Sequence, residues 1–348
     1  MINLENAENQ KNEVSEMNVL YTTNDIFCAK VGTGICSIFE NNSDLADITV
    51  YIIGQEISDS NQERFQRLAD CYNRTIELID LGNLKHFFPF DFDTLGWNPV
   101  ILARLVLDKL LPESVERILY LDGDTVNLRS LKELWEFPLG DSVLGGCIEA
   151  TVSQNRREEL GMADLPYINS GVLLINLDKW RREHWGDTII SYYREHDGRL
   201  FAPDQDAING ALLDHIAYLP PKYNFYNIYW FYPYRFLKKR MNDTFYYSKE
   251  VFDESLEHPA IIHYLGEERP WRAGNHHRFK ADYQKYLNLT PWKGDAEEEG
   301  WKTYFFFWDI FNGIMRPFPA LRYRIIDHLI PAFMKWRKRQ LQKETNRK

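Results

Sequence analysis

Residues 117–124 read Arg-Ile-Leu-Tyr-Leu-Asp-Gly-Asp (RILYLDGD), and this stretch decides the fold. Arg117–Leu121 is a short apolar run of the kind that forms a strand buried on both faces. It runs directly into Asp122-Gly123-Asp124. Upstream, Asn18–Thr22 and Asp47–Ile53 read as strands of the same kind, and Thr75–Ile79 as a third. Between them, Ile26, Val31, Ile35, Ile38 and Phe39 recur at helical spacing. Ser60 and Glu63 suggest a capping box for a helix carrying Phe65, Leu68, Ala69 and Tyr72. A further helix is expected over about Val100–Leu111, ending at Pro112. Strands alternating with helices predict an α/β chain with a doubly wound, mostly parallel sheet and helices on both faces. Ligands of such sheets bind beyond the carboxyl ends of the strands, where Asp122 and Asp124 fall.

Downstream, Val143–Ile148, Gly171–Ile175 and Ala260–His263 read as strands, and Asp178–Glu195 and Asp206–Leu213 as helices. The aromatic, proline-interrupted stretch Tyr223–Phe236 gives no clear period. Residues 1–16 are polar, lack an apolar pattern and read as a disordered extension. The chain has 348 residues, 44% hydrophobic and 26% charged, a globular composition. Four cysteines, Cys28, Cys36, Cys71 and Cys147, form no CxxC pair, which argues against structural zinc and fits a reducing cytosol. No signal peptide and no transmembrane run is expected.

Charge is unevenly spread. The net charge is −10, yet residues 316–348 carry +8 and the remainder −18. An acidic body is unlike a nucleic-acid binder. Residues 304–311 (YFFFWDIF) are strongly aromatic. Leu321, Ile325, Ile326, Leu329, Ile330 and Phe333 then form an apolar stripe, interrupted around it by Pro317, Pro319 and Pro331 and followed by Lys335, Arg337, Lys338 and Arg339. That pattern suits a segment lying in an anionic membrane interface. Read this way, residues 296–348 are a basic, aromatic membrane-associating tether on a folded body that spans residues 17–295.

Several polar clusters bear chemistry. Paired carboxylates at a strand end repel unless a cation joins them, and Asp122 and Asp124 are separated only by Gly123. His263 closes the run AIIHY and precedes Gly266 and Arg269-Pro270-Trp271. Two carboxylates and an imidazole suit Mn2+ or Mg2+, with an arginine at a glycine loop to hold phosphate oxygens. Asn169 and Ser170 stand before the run VLLIN, and Asp204-Gln205-Asp206, followed by Asn209, offers acceptors and an amide for a polyhydroxylated ligand. One of these aspartates could serve only as a helix cap.

The ordered set RILYLDGD, YINSGVLLINLDKWR, DQDAIN and HYLGEERPW, spanning about Met17–Trp292, resembles glycosyltransferase family 8. These are retaining GT-A enzymes that include bacterial lipooligosaccharide α-galactosyltransferases and the glycogenins. The resemblance implies a Rossmann-like GT-A domain with a helical, aromatic C-terminal extension. It implies that Asp122, Asp124 and His263 hold the metal, with Arg269 in place of the family's usual lysine. Thr22, Asn24, Asp25 and Phe27 would meet the uracil. Arg104, Glu149, Asn169, Ser170, Gly123 and Gly266 would line the donor. Gln205 and Asp204 would act at the anomeric carbon. The implied donor is UDP-galactose or UDP-glucose. The implied acceptor is an oligosaccharide or glycolipid at the inner face of a bacterial plasma membrane, with no nucleic acid involved. Weighed beside it are a metal-dependent UDP-sugar hydrolase or phosphoesterase and a non-catalytic sugar-nucleotide-binding membrane protein.

Overall fold

A computed structural model of the chain describes residues 16–162, 164–241, 246–330 and 332. The sequence expectations for residues 1–15, for Pro331, Phe333 and for the basic cluster Lys335–Arg339 therefore lie outside the described residues. Nine strands appear among those described: β1 (Glu16–Asn24), β2 (Asp47–Gln55), β3 (Thr75–Asp80), β4 (Arg117–Leu121), β5 (Thr125–Asn127), β6 (Leu144–Ile148), β7 (Ile168–Asn176), β8 (Ile216–Tyr218) and β9 (Ile261–His263). Seven form one sheet in the order β3-β2-β1-β4-β7-β6-β8, and β5 pairs with β9 in a small second sheet.

The large sheet is mostly parallel: β3, β2, β1 and β4 run together, as do β6 and β8. β7 runs against both of its neighbours. Apolar strand residues alternate between two cores. Val19, Tyr21, Leu119 and Leu121 face the Cys28–Asn41 helix, and Leu20, Ile118 and Tyr120 face the opposite layer. Both faces are therefore covered, as continuous apolar runs require.

Several local expectations shift. β1 starts at Glu16, paired with Asp47, so the last residue read as extension is in the sheet. The Asp59–Tyr72 helix is capped by Ser58, whose hydroxyl accepts from Asn61 N, so Ser60 lies inside the helix. The single helix expected over Val100–Leu111 is a 3-10 segment, Pro99–Leu105, followed by one α-turn, Leu107–Leu110. Five of the seven residues in the 3-10 segment are buried, so its apolar pattern reflects burial on most sides and not one helical face. Asp178–Glu195 breaks at His184, whose φ of 56° is left-handed, giving helices Leu177–Arg182 and Trp185–Glu195. Tyr223–Phe236 resolves into short turns around a packed aromatic cluster, with Phe225 and Tyr229 stacked at 5.2 Å.

The C-terminal aromatic stretch is a helix, Lys302–Met315, and residues 319–330 form a second one beyond Pro317. Both dock on the body through polar and aromatic anchors. Trp301 lies under Arg272, with the guanidinium 3.6 Å from the ring centre, and Phe305 is buried. Arg322 is buried against the Phe231 ring at 3.9 Å and donates to the Tyr232 hydroxyl at 2.8 Å. The Tyr323 hydroxyl donates to Thr151 O at 3.1 Å. Their apolar side chains mostly face outward, with Phe306 and Phe307 62% and 63% exposed. No helix among the described residues is long and apolar enough to cross a membrane.

Candidate active site

β4 delivers Asp122 to the rim of the sheet, and two backbone bonds set the turn that follows. Asp122 N donates to Gly171 O of β7 at 2.8 Å, and Tyr264 N donates to Asp124 O at 2.8 Å. The β5–β9 pairing places Thr125 opposite His263. The register thus brings a histidine from far along the chain to the two aspartates. One ligand atom from each of Asp122, Asp124 and His263 lies within 4.8 Å of the other two. His263 Nε2 is 3.3 Å from Asp124 Oδ1 and 3.8 Å from Asp122 Oδ2. Two carboxylate oxygens and one imidazole nitrogen converging on one point are a fitting donor set for Mn2+ or Mg2+.

The electrostatics follow from this convergence. Burial alone would raise the Asp124 carboxyl, but His263 and then Arg269 outweigh it and hold it below the usual range. Burial opposes charge on His263, and the Asp124 carboxylate overcomes this and raises the imidazole. On one flank Arg269 Nη2 lies 3.3 Å from Asp124 Oδ2. It sits on the loop after β9, where Gly266 has a φ of +80° that favours glycine.

On the other flank Arg104, carried by the 3-10 segment, is buried. Its Nη2 donates to Asp122 Oδ1 at 2.7 Å, and its Nη1 lies 3.1 Å from Asp204 Oδ2 and donates to Ser170 O at 3.0 Å. Burial raises the Asp204 carboxyl by more than Arg104 lowers it. Gln205 is fully engaged: Oε1 accepts from Ser170 N at 2.9 Å, and Nε2 donates to Glu149 and to the Tyr167 hydroxyl. Asn169 Nδ2 also donates to Glu149, at 2.9 Å.

The residues after β1 are arranged less uniformly. Thr22 is buried and pairs with the Tyr120 hydroxyl at 3.0 Å; Tyr120 in turn donates to Asp122 at 2.8 Å. Phe27 packs edge-on against Trp271 at 5.6 Å and closes on Gly123, where any Cβ would meet it at 3.0 Å. Asn24 is half-buried and makes no side-chain capping bond. Asp25 points its carboxylate at Asn61 Nδ2 and Ser58 N, which hold it below the usual range, so it ties the start of the neighbouring helix.

Sequence reasoning passed over Tyr120, Tyr167, Arg156 and Asn224. Tyr120 stands two residues before Asp122, a spacing that places both on one face of a strand. Tyr167 is within YINSG, beside the residues singled out there. Asp206 accepts from the Tyr167 hydroxyl at 2.6 Å, from Arg156 and from Ala202 N at 3.0 Å, so it is the aspartate with a capping role. Asn224 gave no signal in its aromatic surroundings.

Residues 18–274 match the description of Glycosyl transferase family 8. The chain belongs to that family. Among curated family relatives it is 24% identical to General stress protein A of Bacillus subtilis, over 81% of this chain and 96% of that one. It is 27% identical to lipopolysaccharide 1,2-glucosyltransferase of Escherichia coli K12, over 81% of each. Among solved structures, galactosyltransferase LgtC in complex with donor and acceptor sugar analogs superposes with a TM-score of 0.66. It shares 24% identity and covers 82% of this chain and 99% of that one. The likeness establishes the GT-A fold for this family 8 chain.

Proposed function

We propose that this family 8 enzyme is a retaining hexosyltransferase that moves galactose or glucose from a UDP-sugar to a hydroxyl of a cell-surface glycan precursor. The acceptor in this reading is a lipid-linked oligosaccharide or a lipopolysaccharide core. The observation that carries the reading is the three-ligand cluster Asp122, Asp124 and His263, flanked by Arg269 and Arg104 at the strand ends. Relatives named as lipopolysaccharide glucosyl- and galactosyltransferases support the sugar and acceptor classes.

Asp122, Asp124 and His263 would hold a divalent cation, which supplies Lewis-acid stabilisation of the charge on a departing diphosphate when bound. Arg269 stands beside Asp124 and offers a second positive group to the same oxygens. Phe27 and Trp271 form the apolar wall for the base, with Thr22, Asn24 and Asp25 at its edge. The bond from the anomeric carbon to UDP breaks, and the acceptor oxygen bonds to that carbon on the same face. The acceptor proton passes to a UDP phosphate oxygen. Gln205 is a poor nucleophile whose amide is fixed by Ser170, Glu149 and Tyr167, so its role is to stabilise positive charge at the anomeric carbon. Asp204 is pinned between Arg104 and Ser170 and orients the donor side. UDP release from a panel of UDP-sugars, with Mn2+ and with EDTA, tests the reading. Metal-dependent release from one hexose donor is expected. Equal release in EDTA rejects it.

In the same reading, residues 17–295 form the catalytic domain and residues 296–348 rest on the anionic inner face of the plasma membrane. A cut after residue 300 is a poor test of that contact, because it removes the Trp301 ring from beneath Arg272 and the buried Phe305. Phe306→Asp combined with Phe307→Asp alters outward-facing side chains only. Burial of one such ring contributes about 1.5–3 kcal/mol, so binding to vesicles containing phosphatidylglycerol should fall at least tenfold, with soluble-acceptor turnover unchanged. Co-sedimentation equal to the unsubstituted protein would refute the membrane contact.

A further inference from the structure

Asn224 is fully buried on the turn after the Pro221–Tyr223 segment. Its side chain touches two others and little else that is polar. Nδ2 donates to Asn169 Oδ1 at 2.8 Å, and Oδ1 faces His263 Nδ1 at 2.9 Å. The orientation of this amide follows from a backbone group. Gly171 N can only donate, and it donates to Asn169 Oδ1 at 3.0 Å. The Asn224 atom meeting that same oxygen must therefore be the NH2 group, which leaves the Asn224 carbonyl oxygen for His263. An acceptor at Nδ1 keeps a proton on that nitrogen and aims Nε2, the ring atom left for a metal, at the point where Asp122 and Asp124 converge. At its other end Asn169 passes the constraint to Glu149, which also receives Gln205.

We propose that Asn224 is a positioning residue that fixes the His263 ring for metal binding and, through Asn169, sets the donor-sugar side chains in the same act. The inference rests on the reading of Asp122, Asp124 and His263 as the metal ligands. Partners that orient a metal-bound histidine typically contribute ten- to a hundredfold in metal affinity.

The test is Mn2+ titration by calorimetry, with KM for the UDP-sugar measured alongside. Asn224→Ala should weaken Mn2+ binding ten- to a hundredfold in protein that remains folded by circular dichroism, and should raise KM. Asn224→Asp retains an acceptor for His263 Nδ1 but turns a second oxygen toward Asn169 Oδ1, so it should bind Mn2+ at least threefold more tightly than Asn224→Ala while KM stays raised. Asn169→Ala keeps the Asn224 carbonyl oxygen available to His263 but removes the oxygen that orients its amide, so it should raise KM at least tenfold and weaken Mn2+ binding less than Asn224→Ala does. An Asn224→Ala protein that melts lower but binds Mn2+ like the unsubstituted chain has lost only packing, and the inference is wrong. If Asn224→Asp is as weak as Asn224→Ala, the acceptor at Nδ1 is not what matters, and the inference again fails. Mn2+ binding that is absent, or unaffected by Asp124→Ala, overturns the reading of the ligand cluster itself, and the inference with it.

Discussion

Arg104→Leu is expected to destabilise the protein by about 3–5 kcal/mol, the range for breaking a buried ion pair by removing one partner, and to abolish turnover. Arg104 is 4% exposed and its guanidinium joins Asp122 to Asp204 and to Ser170 O, with the Tyr120 ring 4.3 Å beneath it. Leucine restores much of the volume but leaves Asp204 buried beside Asp122 with its cation gone. The Asp204 carboxyl is already raised by burial with the arginine present, and it must rise further without it. The sign of the pH dependence follows. A carboxyl whose pKa is higher folded than unfolded binds its proton more tightly in the folded state, so stability falls as pH rises through that interval. The variant should therefore lose more stability between pH 5 and pH 8 than the unsubstituted chain does, as read by urea unfolding at both values. Arg104→Lys should fall between the two, because one ammonium cannot span two carboxylates as a guanidinium fork does. A loss below about 1 kcal/mol for Arg104→Leu would mean that the network is not the buried unit that ion-pair energetics requires.

What the sequence revealed of this site follows the reach of local pattern. RILYL is legible as a buried strand because Ile118–Leu121 must all find apolar neighbours, and the aspartates that follow are legible because charge cannot continue such a run. The strands β1 and β2 announce themselves the same way, whereas β3, at the edge of the sheet, has no fully buried residue. Burial on most sides, in contrast, imitates a helical stripe, which is why the pattern over about Val100–Leu111 predicts one helix where the chain forms a 3-10 segment and a single α-turn. Strand direction left no trace either: apolar residues of β7 face two cores whichever way the strand runs, and only its pairing makes it antiparallel. The buried support of His263 is the extreme case. Asn224 lies in a stretch whose aromatic residues dominate its pattern, and its importance lies in two bonds to residues distant in the chain. Hydrophobic periodicity carries information about faces and none about hydrogen-bond partners.

Gly171→Ala is the second large effect, an expected loss of Mn2+ affinity of at least a hundredfold. A Cβ on residue 171 would stand 2.3 Å from His263 Cε1, 2.7 Å from Nδ1 and 3.0 Å from Asn169 Oδ1. Residue 171 cannot yield easily, because it lies within β7 and its carbonyl accepts from Asp122 N. The imidazole has no better exit. It is 1% exposed, its backbone is held in register with Thr125, and the Tyr226 ring stands 6.1 Å away. The ring must therefore turn, breaking its bond to Asn224 and carrying Nε2 away from both aspartates. Crowding of this kind costs about 1–3 kcal/mol of stability in a packed interior. The cause can be isolated by a double-mutant cycle with His263→Ala. If the clash with the ring is the whole cost, Gly171→Ala should be close to neutral for stability once the ring is gone, and the two changes should couple by most of the single-mutant loss. Simple additivity would instead locate the cost in β7 itself. The glycine in YINSG would then serve the strand, whereas the distances in hand make it the space that a histidine from the other end of the fold must occupy.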